Sequence, residues 1–242
     1  MRTASLRGLR PITPPPTLVL FDLDDTLCDY ASARALRLRI AFGQALAHRD
    51  NAAPDVDLDA LIAESIAMQP HGSDHFTDLL ARYGVTDKAI IEQARAWYQT
   101  NRFHGLQLFS DACESLALIR AALPGRRLGI ITNGPAEVQR EKVALLGLES
   151  AVDFILISGE LGIAKPDPAI FAEALRRGAA TADEAVFIGD SPEFDIAGAR
   201  AAGIRAVWLN RAGRTWPAGL PHPDYVAPSL MEVRRLLGTS EA

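Results

Sequence analysis

Cysteines and long apolar runs are both scarce in this sequence of 242 residues. The two cysteines, Cys28 and Cys113, have no paired-ligand spacing and no nearby histidines, so neither a disulfide framework nor a zinc site is indicated. No apolar stretch approaches the roughly 18 residues of a membrane span. Residues 1–16 carry arginines and prolines but no apolar core of a secretory signal. We therefore expect residues 1–16 to be a disordered tail of a cytoplasmic protein with no membrane partner.

An excess of positive charge is also missing. The net charge is -5, which argues against broad electrostatic binding to nucleic acid, and any anionic ligand would need a local positive site. No internal repeat is visible. The apolar fraction of 48% and the charged fraction of 23% are those of an ordinary globular protein. The length suits one large domain or a domain that carries an insertion.

The run Leu18–Phe21 is continuously apolar and ends in the acids Asp22, Asp24 and Asp25. Such a run is typical of a strand covered on both faces in a parallel sheet, and ligands bind beyond the carboxyl ends of such strands. Residues two apart on an extended chain point the same way, so Asp22 and Asp24 can address one site. Two carboxylates about 4 Å apart repel by roughly 4 kcal/mol, which implies a cation or a shared proton. An isolated Asp-x-Asp could more simply cap the next helix.

The spacing of apolar residues changes twice after this run. Residues 30–103 show helical spacing without recognisable strands, and we predict four helices there, over residues 31–48, 57–68, 73–83 and 86–100. His71 and His75 lie in this segment, and the simpler interpretation of either is a surface or packed residue. Trp97 and Tyr98 are predicted to pack within it.

From residue 104 onward helices alternate with apolar strands at residues 127–132, 154–157, 185–189 and 204–209. This pattern predicts a doubly wound parallel α/β (Rossmann-like) core, residues 17–29 and 104–242, with an inserted helical domain.

Polar residues stand at the ends of these strands or before the following helices. If the strands are parallel, one rim collects the carboxylates and the donors. Magnesium prefers hard oxygen ligands, usually one or two carboxylates with water and phosphate oxygens. The expected ligands are Asp22 and Asp190, with the main-chain carbonyl of Asp24 as a third and Asp195 as a ligand or the holder of a water. The expected phosphate donors are Thr132, Asn133 and Lys165.

The same residues carry a resemblance to a known family, the haloacid dehalogenase superfamily and its phosphatase branch. The four motifs that are similar are Asp22-Leu23-Asp24-Asp25-Thr26, Thr132-Asn133, Lys165-Pro166, and Gly189-Asp190 with Asp195. The resemblance implies that Asp22 is the nucleophile, Asp24 the general acid and base, and Asp190 a magnesium ligand. Thr132 and Lys165 would bind phosphate, and residues 30–103 would be the helical cap.

The function that the resemblance implies is magnesium-dependent hydrolysis of a small phosphate monoester, a nucleotide or sugar phosphate, through an aspartyl phosphate. A haloacid dehalogenase of the same superfamily is an alternative, but Asp24 counts against it because that branch has a different residue there. A phosphomutase keeps the same residues and stays open. A non-catalytic phosphate-binding protein is disfavoured by the intact pair Asp22 and Asp24.

Overall fold

A computed structural model describes residues 11–49, 55–68 and 72–238 of the chain. It consists of two units, a core unit of Met1–Asp29 with Leu108–Ala242 and a helical unit of Tyr30–Gln107. The predicted inserted domain, residues 30–103, falls within the helical unit. Within the described ranges, no helix is both long and apolar enough to cross a membrane.

The core unit is built on a six-stranded sheet in the order β3-β2-β1-β4-β5-β6, in which every pair of neighbours is parallel. The strands are β1 Leu18–Phe21, β2 Arg127–Thr132, β3 Phe154–Ile157, β4 Ala185–Gly189, β5 Arg205–Leu209 and β6 Tyr225–Ala227. The predicted α/β fold with a parallel sheet is confirmed. Strand β6 was not predicted, because this three-residue strand lies at the sheet edge and only Ala227 in it is buried, which leaves too short a pattern to recognise.

The central strand β1 sets the position of the acids that follow it. All four of its residues are buried, as expected for a strand covered on both faces. Phe21 is level with Ile130 of β2 on one side and with Ile188 of β4 on the other. The ladder continues one step further, since the Asp22 amide donates to the Ile188 carbonyl at 2.9 Å. Asp22 therefore emerges between the carboxyl ends of two neighbouring strands.

The helical unit contains α1 Tyr30–Leu46, α2 Leu58–Met68, α3 Phe76–Arg82 and α4 Lys88–Thr100. These helices share an apolar core that includes Phe42, Leu61, Phe76, Leu80 and Tyr98. The predicted helices are present with shifted ends. The helix predicted from residue 86 begins at residue 88, because the Asp87 side chain caps it by accepting from the Ala89 amide at 2.8 Å.

The remaining helices belong to the core unit and are α5 Ala112–Ala121, α6 Ala136–Leu145, α7 Ser158–Leu161, α8 Pro168–Gly178, α9 Ala197–Ala201 and α10 Leu230–Leu236. One sheet face buries Leu18 and Leu20 against α8 and α9, with Phe171 packed edge-on to Phe187 at 5.2 Å. The other face is covered by α5 and α10. Coverage of both faces explains why the strands are continuously apolar.

Residues 11–16 correct the prediction of a disordered tail that extends to residue 16. The Ile12 side chain is buried, and its amide donates to the Leu236 carbonyl at 2.8 Å. The Pro16 carbonyl accepts from the buried Arg126 guanidinium at 3.0 Å. Two of the prolines that suggested disorder, Pro14 and Pro16, accept hydrogen bonds from distant residues, which local composition does not reveal. Residues 1–10 of the predicted tail lie outside the described residues.

Candidate active site

A buried lysine joins two carboxylates at the end of the central strand. The Lys165 ammonium lies 2.5 Å from Oδ1 of Asp22 and 2.7 Å from Oδ1 of Asp195, and its side chain is 3% exposed. Lys165 comes from the loop between α7 and α8. Asp22 follows β1 and Asp195 lies in the turn Pro192–Ile196. The structure thus brings together three of the predicted site residues from three separate segments.

Asp195 is positioned by the turn that follows β4. Its Oδ2 accepts from the Ser191 amide at 3.0 Å, and its Oδ1 accepts from Lys165. The chain needs glycine at residue 189 for this arrangement, since a Cβ there would lie 2.4 Å from Oδ2 of Asp195. Asp195 is 1% exposed, so both of its oxygens are engaged inside the protein.

Asp190 completes a group of three acids at the same rim. Ligand oxygens of Asp22, Asp190 and Asp195 lie within 4.8 Å of one another. The Arg214 guanidinium approaches Asp190 Oδ2 at 3.1 Å and its main-chain carbonyl at 2.7 Å. Burial, followed by the charges of Asp195 and Asp25, raises the pKa of Asp190 to about 7 against the opposing effect of Arg214.

Burial and neighbouring charges act in opposite directions on the pKa values of Asp22 and Lys165. Burial raises the pKa of Asp22 well above its ordinary value despite the nearby ammonium of Lys165, and Asp195 and Asp190 raise it further. Burial by itself would lower the pKa of Lys165, but the carboxylates of Asp195 and Asp22 outweigh it and raise that pKa. Lys165 is therefore held as a cation, while the ionised form of Asp22 is disfavoured by its surroundings.

Asp24 has a separate set of partners. The Lys142 ammonium lies 2.7 Å from both Oδ1 and Oδ2 of Asp24, and Gln139 Nε2 lies 3.3 Å from Oδ2. The Cys28 thiol is 3.5 Å from Oδ1. Burial, followed by the Asp24 carboxylate, raises the pKa of Cys28, so this cysteine is held as a thiol. The carboxylates of Asp22 and Asp24 thus each have their own lysine, Lys165 and Lys142.

Thr132 is the last residue of β2, and Asn133 follows it. The Thr132 hydroxyl is buried and accepts from Gln139 Nε2 at 2.7 Å. The Asn133 side chain bonds the Lys165 backbone in both directions, since Nδ2 donates to the Lys165 carbonyl and Oδ1 accepts from its amide, both at 2.9 Å. The role of Asn133 as a phosphate donor stays a prediction. Its observed contacts attach the loop that carries Lys165 to the end of β2.

Three further residues at this rim, Gln139, Lys142 and Arg214, were not predicted from the sequence. A signal for the first two was present, because α6 buries Gln139, Lys142 and Val143 on one face where apolar residues are the rule. Polar residues at inward-facing helix positions indicate a specific partner. Arg214 lies in a loop after β5 and has no comparable pattern.

Two of the histidines in the helical segment, His71 and His75, are candidates for a functional role. His75 Nε2 lies 2.6 Å from the buried Ser65 hydroxyl, and its ring packs edge-on to Phe76 at 5.2 Å. Burial, then the nearby Arg34 charge, lowers the pKa of His75. These contacts favour the interpretation of His75 as a packed residue. His71 lies outside the described residues. Tyr98 is buried in the helical core and Trp97 packs against it, as predicted.

Comparisons with known proteins complement this geometry. A family model described as haloacid dehalogenase-like hydrolase matches residues 16–203. The phosphoserine phosphatase of Thermus thermophilus is 38% identical over 139 residues, which span 57% of this chain and 54% of that protein. The glyceraldehyde 3-phosphate phosphatase of Methanopyrus kandleri is 33% identical over 204 residues, or 80% of this chain and 83% of that one. A 2-haloacid dehalogenase structure from Pseudomonas syringae has 35% identity and a TM-score of 0.58, and the match covers 91% of this chain and 97% of that one.

Proposed function

We propose, since the chain belongs to the haloacid dehalogenase-like hydrolase family, that it hydrolyses small phosphate monoesters with Asp22 as the nucleophile and magnesium as the cofactor. The family and enzyme class predicted from the sequence, a phosphatase of this superfamily, are confirmed by the family model and the phosphatase relatives. The observation that carries the proposed reaction is the buried Lys165 ammonium between Asp22 and Asp195. A cation beside the nucleophilic carboxylate can stabilise the negative charge on the oxygens of a phosphoryl group during its transfer.

The acid cluster fits a magnesium ion. Three carboxylates within 4.8 Å of one another offer hard oxygen atoms. Burial, together with the charges of neighbouring carboxylates, raises the pKa values of Asp22 and Asp190, and a bound cation would favour their ionised forms. We assign the ion to the Asp22 and Asp190 side chains with the Asp24 main-chain carbonyl. Asp195, whose oxygens are engaged by Lys165 and Ser191, is assigned to holding Lys165. Bound magnesium would neutralise charge on the Asp22 carboxylate and on the phosphate oxygens.

The first half of the proposed reaction transfers the phosphoryl group to the protein. An Asp22 oxygen forms a bond to phosphorus, the bond from phosphorus to the leaving oxygen breaks, and Asp24 gives its proton to that oxygen. The Lys165 ammonium has three N–H donors, two of which serve Asp22 and Asp195. The third is assigned to a phosphate oxygen, together with the Thr132 hydroxyl.

The second half regenerates the free carboxylate. Asp24 takes a proton from water, the water oxygen bonds to phosphorus, and the bond from phosphorus to Asp22 breaks to release inorganic phosphate. The same residue acts first as an acid and then as a base, which restores its starting protonation after each turnover. The overall change is the addition of one water to one phosphate ester.

The substrate is assigned by class only. Phosphoserine and glyceraldehyde 3-phosphate, named in the relatives, are small phosphate esters, which supports a small metabolite such as a nucleotide or sugar phosphate. A cytoplasmic location stays a prediction.

A dehalogenase is the second candidate, because the Pseudomonas syringae structure that matches over most of the chain is named a 2-haloacid dehalogenase. Asp24 supports the phosphatase instead. Asp24 lies two residues after Asp22, and its carboxylate is bound to the buried Lys142. The resemblance implies a different residue at this position in the dehalogenase branch. A phosphomutase would use the same residues and differ in the fate of the intermediate.

Turnover in oxygen-18 water separates the two candidates. In a phosphatase, water attacks phosphorus, so the label enters released phosphate and the Asp22 carboxylate stays unlabelled. In a dehalogenase, water attacks the carboxyl carbon of an alkyl ester, and the label enters Asp22. Mass spectrometry of the Asp22 peptide and of phosphate reports both sites. Label at Asp22 that appears only during turnover would refute the phosphatase mechanism.

Trapping and chelation test the intermediate and the metal. Rapid acid quench should capture a phosphorylated Asp22 peptide, and Asp22→Asn should remove both this species and turnover. Excess chelator should abolish hydrolysis, and added magnesium should restore it. Asp190→Asn should raise the magnesium concentration needed for half-maximal rate, whereas Asp78→Asn, at an exposed carboxylate of α3, should leave it unchanged. Full activity in chelator would contradict the metal assignment.

A further inference from the structure

Two polar residues of α6 contact the groups proposed to exchange protons and bind phosphate. Gln139 and Lys142 lie three residues apart on one face of the helix, and they are 2% and 3% exposed. Gln139 contacts Thr132 and Asp24, and Lys142 contacts Asp24. Apolar residues at these two positions would bury against the sheet without a desolvation cost. Their polar character therefore indicates a role in their contacts with Thr132 and Asp24.

The Gln139 amide nitrogen is the centre of a small network. Nε2 lies 2.7 Å from Oγ1 of Thr132, 2.7 Å from the Asn133 carbonyl and 3.3 Å from Oδ2 of Asp24. Oε1 of the same amide is buried and, among the residues that the structure describes, has no hydrogen-bond partner. Rotating the amide by half a turn would aim Oε1 at the Asn133 carbonyl and the Asp24 carboxylate, which only accept. The contacts select this one orientation although it leaves an acceptor unpaired.

This orientation determines how the Thr132 hydroxyl can act. A hydroxyl has one hydrogen and two lone pairs. Because the Gln139 N–H occupies a lone pair, the Thr132 hydrogen is left to donate elsewhere. A phosphate oxygen bound beside Asp22 would be the acceptor. Gly134 makes room for the amide, since a Cβ at that residue would lie 3.0 Å from Nε2 of Gln139.

Lys142 has the corresponding relation to Asp24. Its ammonium is equidistant, at 2.7 Å, from both carboxylate oxygens, and its side chain is 4% exposed against 26% for Asp24. A charge-assisted contact to both oxygens restricts rotation of the carboxylate. Lys142 therefore limits the directions in which Asp24 can present an oxygen.

We propose that Gln139 and Lys142 are positioning residues, in which Gln139 directs the Thr132 hydroxyl hydrogen toward phosphate and Lys142 holds the Asp24 carboxylate in its working orientation. The proposal rests on the proposed phosphatase function. It assigns the two residues to different steps, because Thr132 binds phosphate and Asp24 moves protons. Loss of Gln139 should therefore weaken phosphate binding, and loss of Lys142 should slow turnover without weakening it.

The first test is a double-mutant cycle on Gln139 and Thr132, read as the competitive inhibition constant for inorganic phosphate. Gln139→Met and Thr132→Val should each raise this constant, by about 10-fold or more for loss of a hydrogen bond to a charged group. If Gln139 acts through Thr132, the double variant has the inhibition constant of Thr132→Val alone. Multiplied effects, or an unchanged constant in Gln139→Met, would overturn the proposal. Gln139→Leu replaces Gln139→Met if the latter does not fold.

The second test uses Lys142→Met, Lys142→Arg and the exposed control Lys88→Met. Lys142→Met should lower kcat at least 10-fold while the inhibition constant for phosphate stays within about twofold, and Lys142→Arg should recover part of kcat. General damage to the site would raise the inhibition constant as well, and that result would refute the assignment, as would an unchanged kcat. A wild-type chain that hydrolyses no phosphate ester, or keeps turnover in Asp22→Asn, would instead contradict the proposed function.

Discussion

Replacement of Lys165 by methionine should be strongly destabilising in the metal-free protein. The ammonium lies 2.5 Å from Asp22 and 2.7 Å from Asp195 and is almost fully buried. At an effective dielectric near 20, each contact corresponds to about 6 kcal/mol of gross Coulomb attraction. Most of this attraction is offset by desolvation of the three charges. Removing one partner of a buried pair typically costs about 3–5 kcal/mol, because the remaining charges stay buried without compensation.

We expect Lys165→Met to lower the free energy of unfolding by about 3–5 kcal/mol at pH 7.5 in the presence of chelator. Urea unfolding followed by circular dichroism measures this quantity. The matched control is Lys88→Met, since Lys88 is exposed at the start of α4, and its effect should lie within about 0.5 kcal/mol.

A second substitution identifies the cause of the loss. Asp195→Asn in the Lys165→Met background removes one of the two uncompensated carboxylates and keeps an oxygen for the Ser191 amide. This double variant should be more stable than Lys165→Met alone. A Lys165→Met effect below about 1 kcal/mol, or further destabilisation by Asp195→Asn, would show that the ammonium does not compensate these carboxylates.

Three other outcomes are expected. Burial lowers the pKa of His75 in the folded state, so below about pH 6.5 the unfolded chain binds the proton more readily than the folded chain. The free energy of unfolding should therefore fall from pH 7.5 to pH 5, and this fall should be smaller in His75→Gln. Gly189→Ala places a Cβ 2.4 Å from Oδ2 of Asp195 and should lower kcat/KM at least 10-fold by displacing that carboxylate. Phe42→Ala removes a buried ring 4.7 Å from the ring of Phe76 and should lower the free energy of unfolding by about 3–5 kcal/mol.

Each of these outcomes has a matched control. His75→Gln that leaves the pH dependence of stability unchanged would show that His75 does not contribute to it. Gly43→Ala adds a Cβ with no atom within 4 Å and should preserve activity, so equal losses in both glycine variants would argue against the steric explanation. Leu145→Ala removes a side chain that is 59% exposed and should change stability by about 0.5 kcal/mol or less.

Local sequence patterns were sufficient to predict five of the six strands. The buried strand before Asp22 and the one before Asp190 are continuous apolar runs, and a parallel sheet places the ends of such strands at one rim. The three-residue strand β6 was missed because a short edge strand has no such pattern. The role of residues 11–16 was missed because their hydrogen bonds go to residues more than 100 positions away.

The partners of the acids were decided by tertiary structure. Spacing indicated that Asp22 and Asp24 address one rim, but not that the ammonium of Lys165, 143 residues from Asp22, would lie between Asp22 and Asp195. Nor did it reveal that Lys142, 118 residues from Asp24, would bind both of its carboxylate oxygens. A sequence records which charges are present, whereas their pairing depends on which segments the sheet and its helices bring within a few ångströms, where Coulomb interactions are strong.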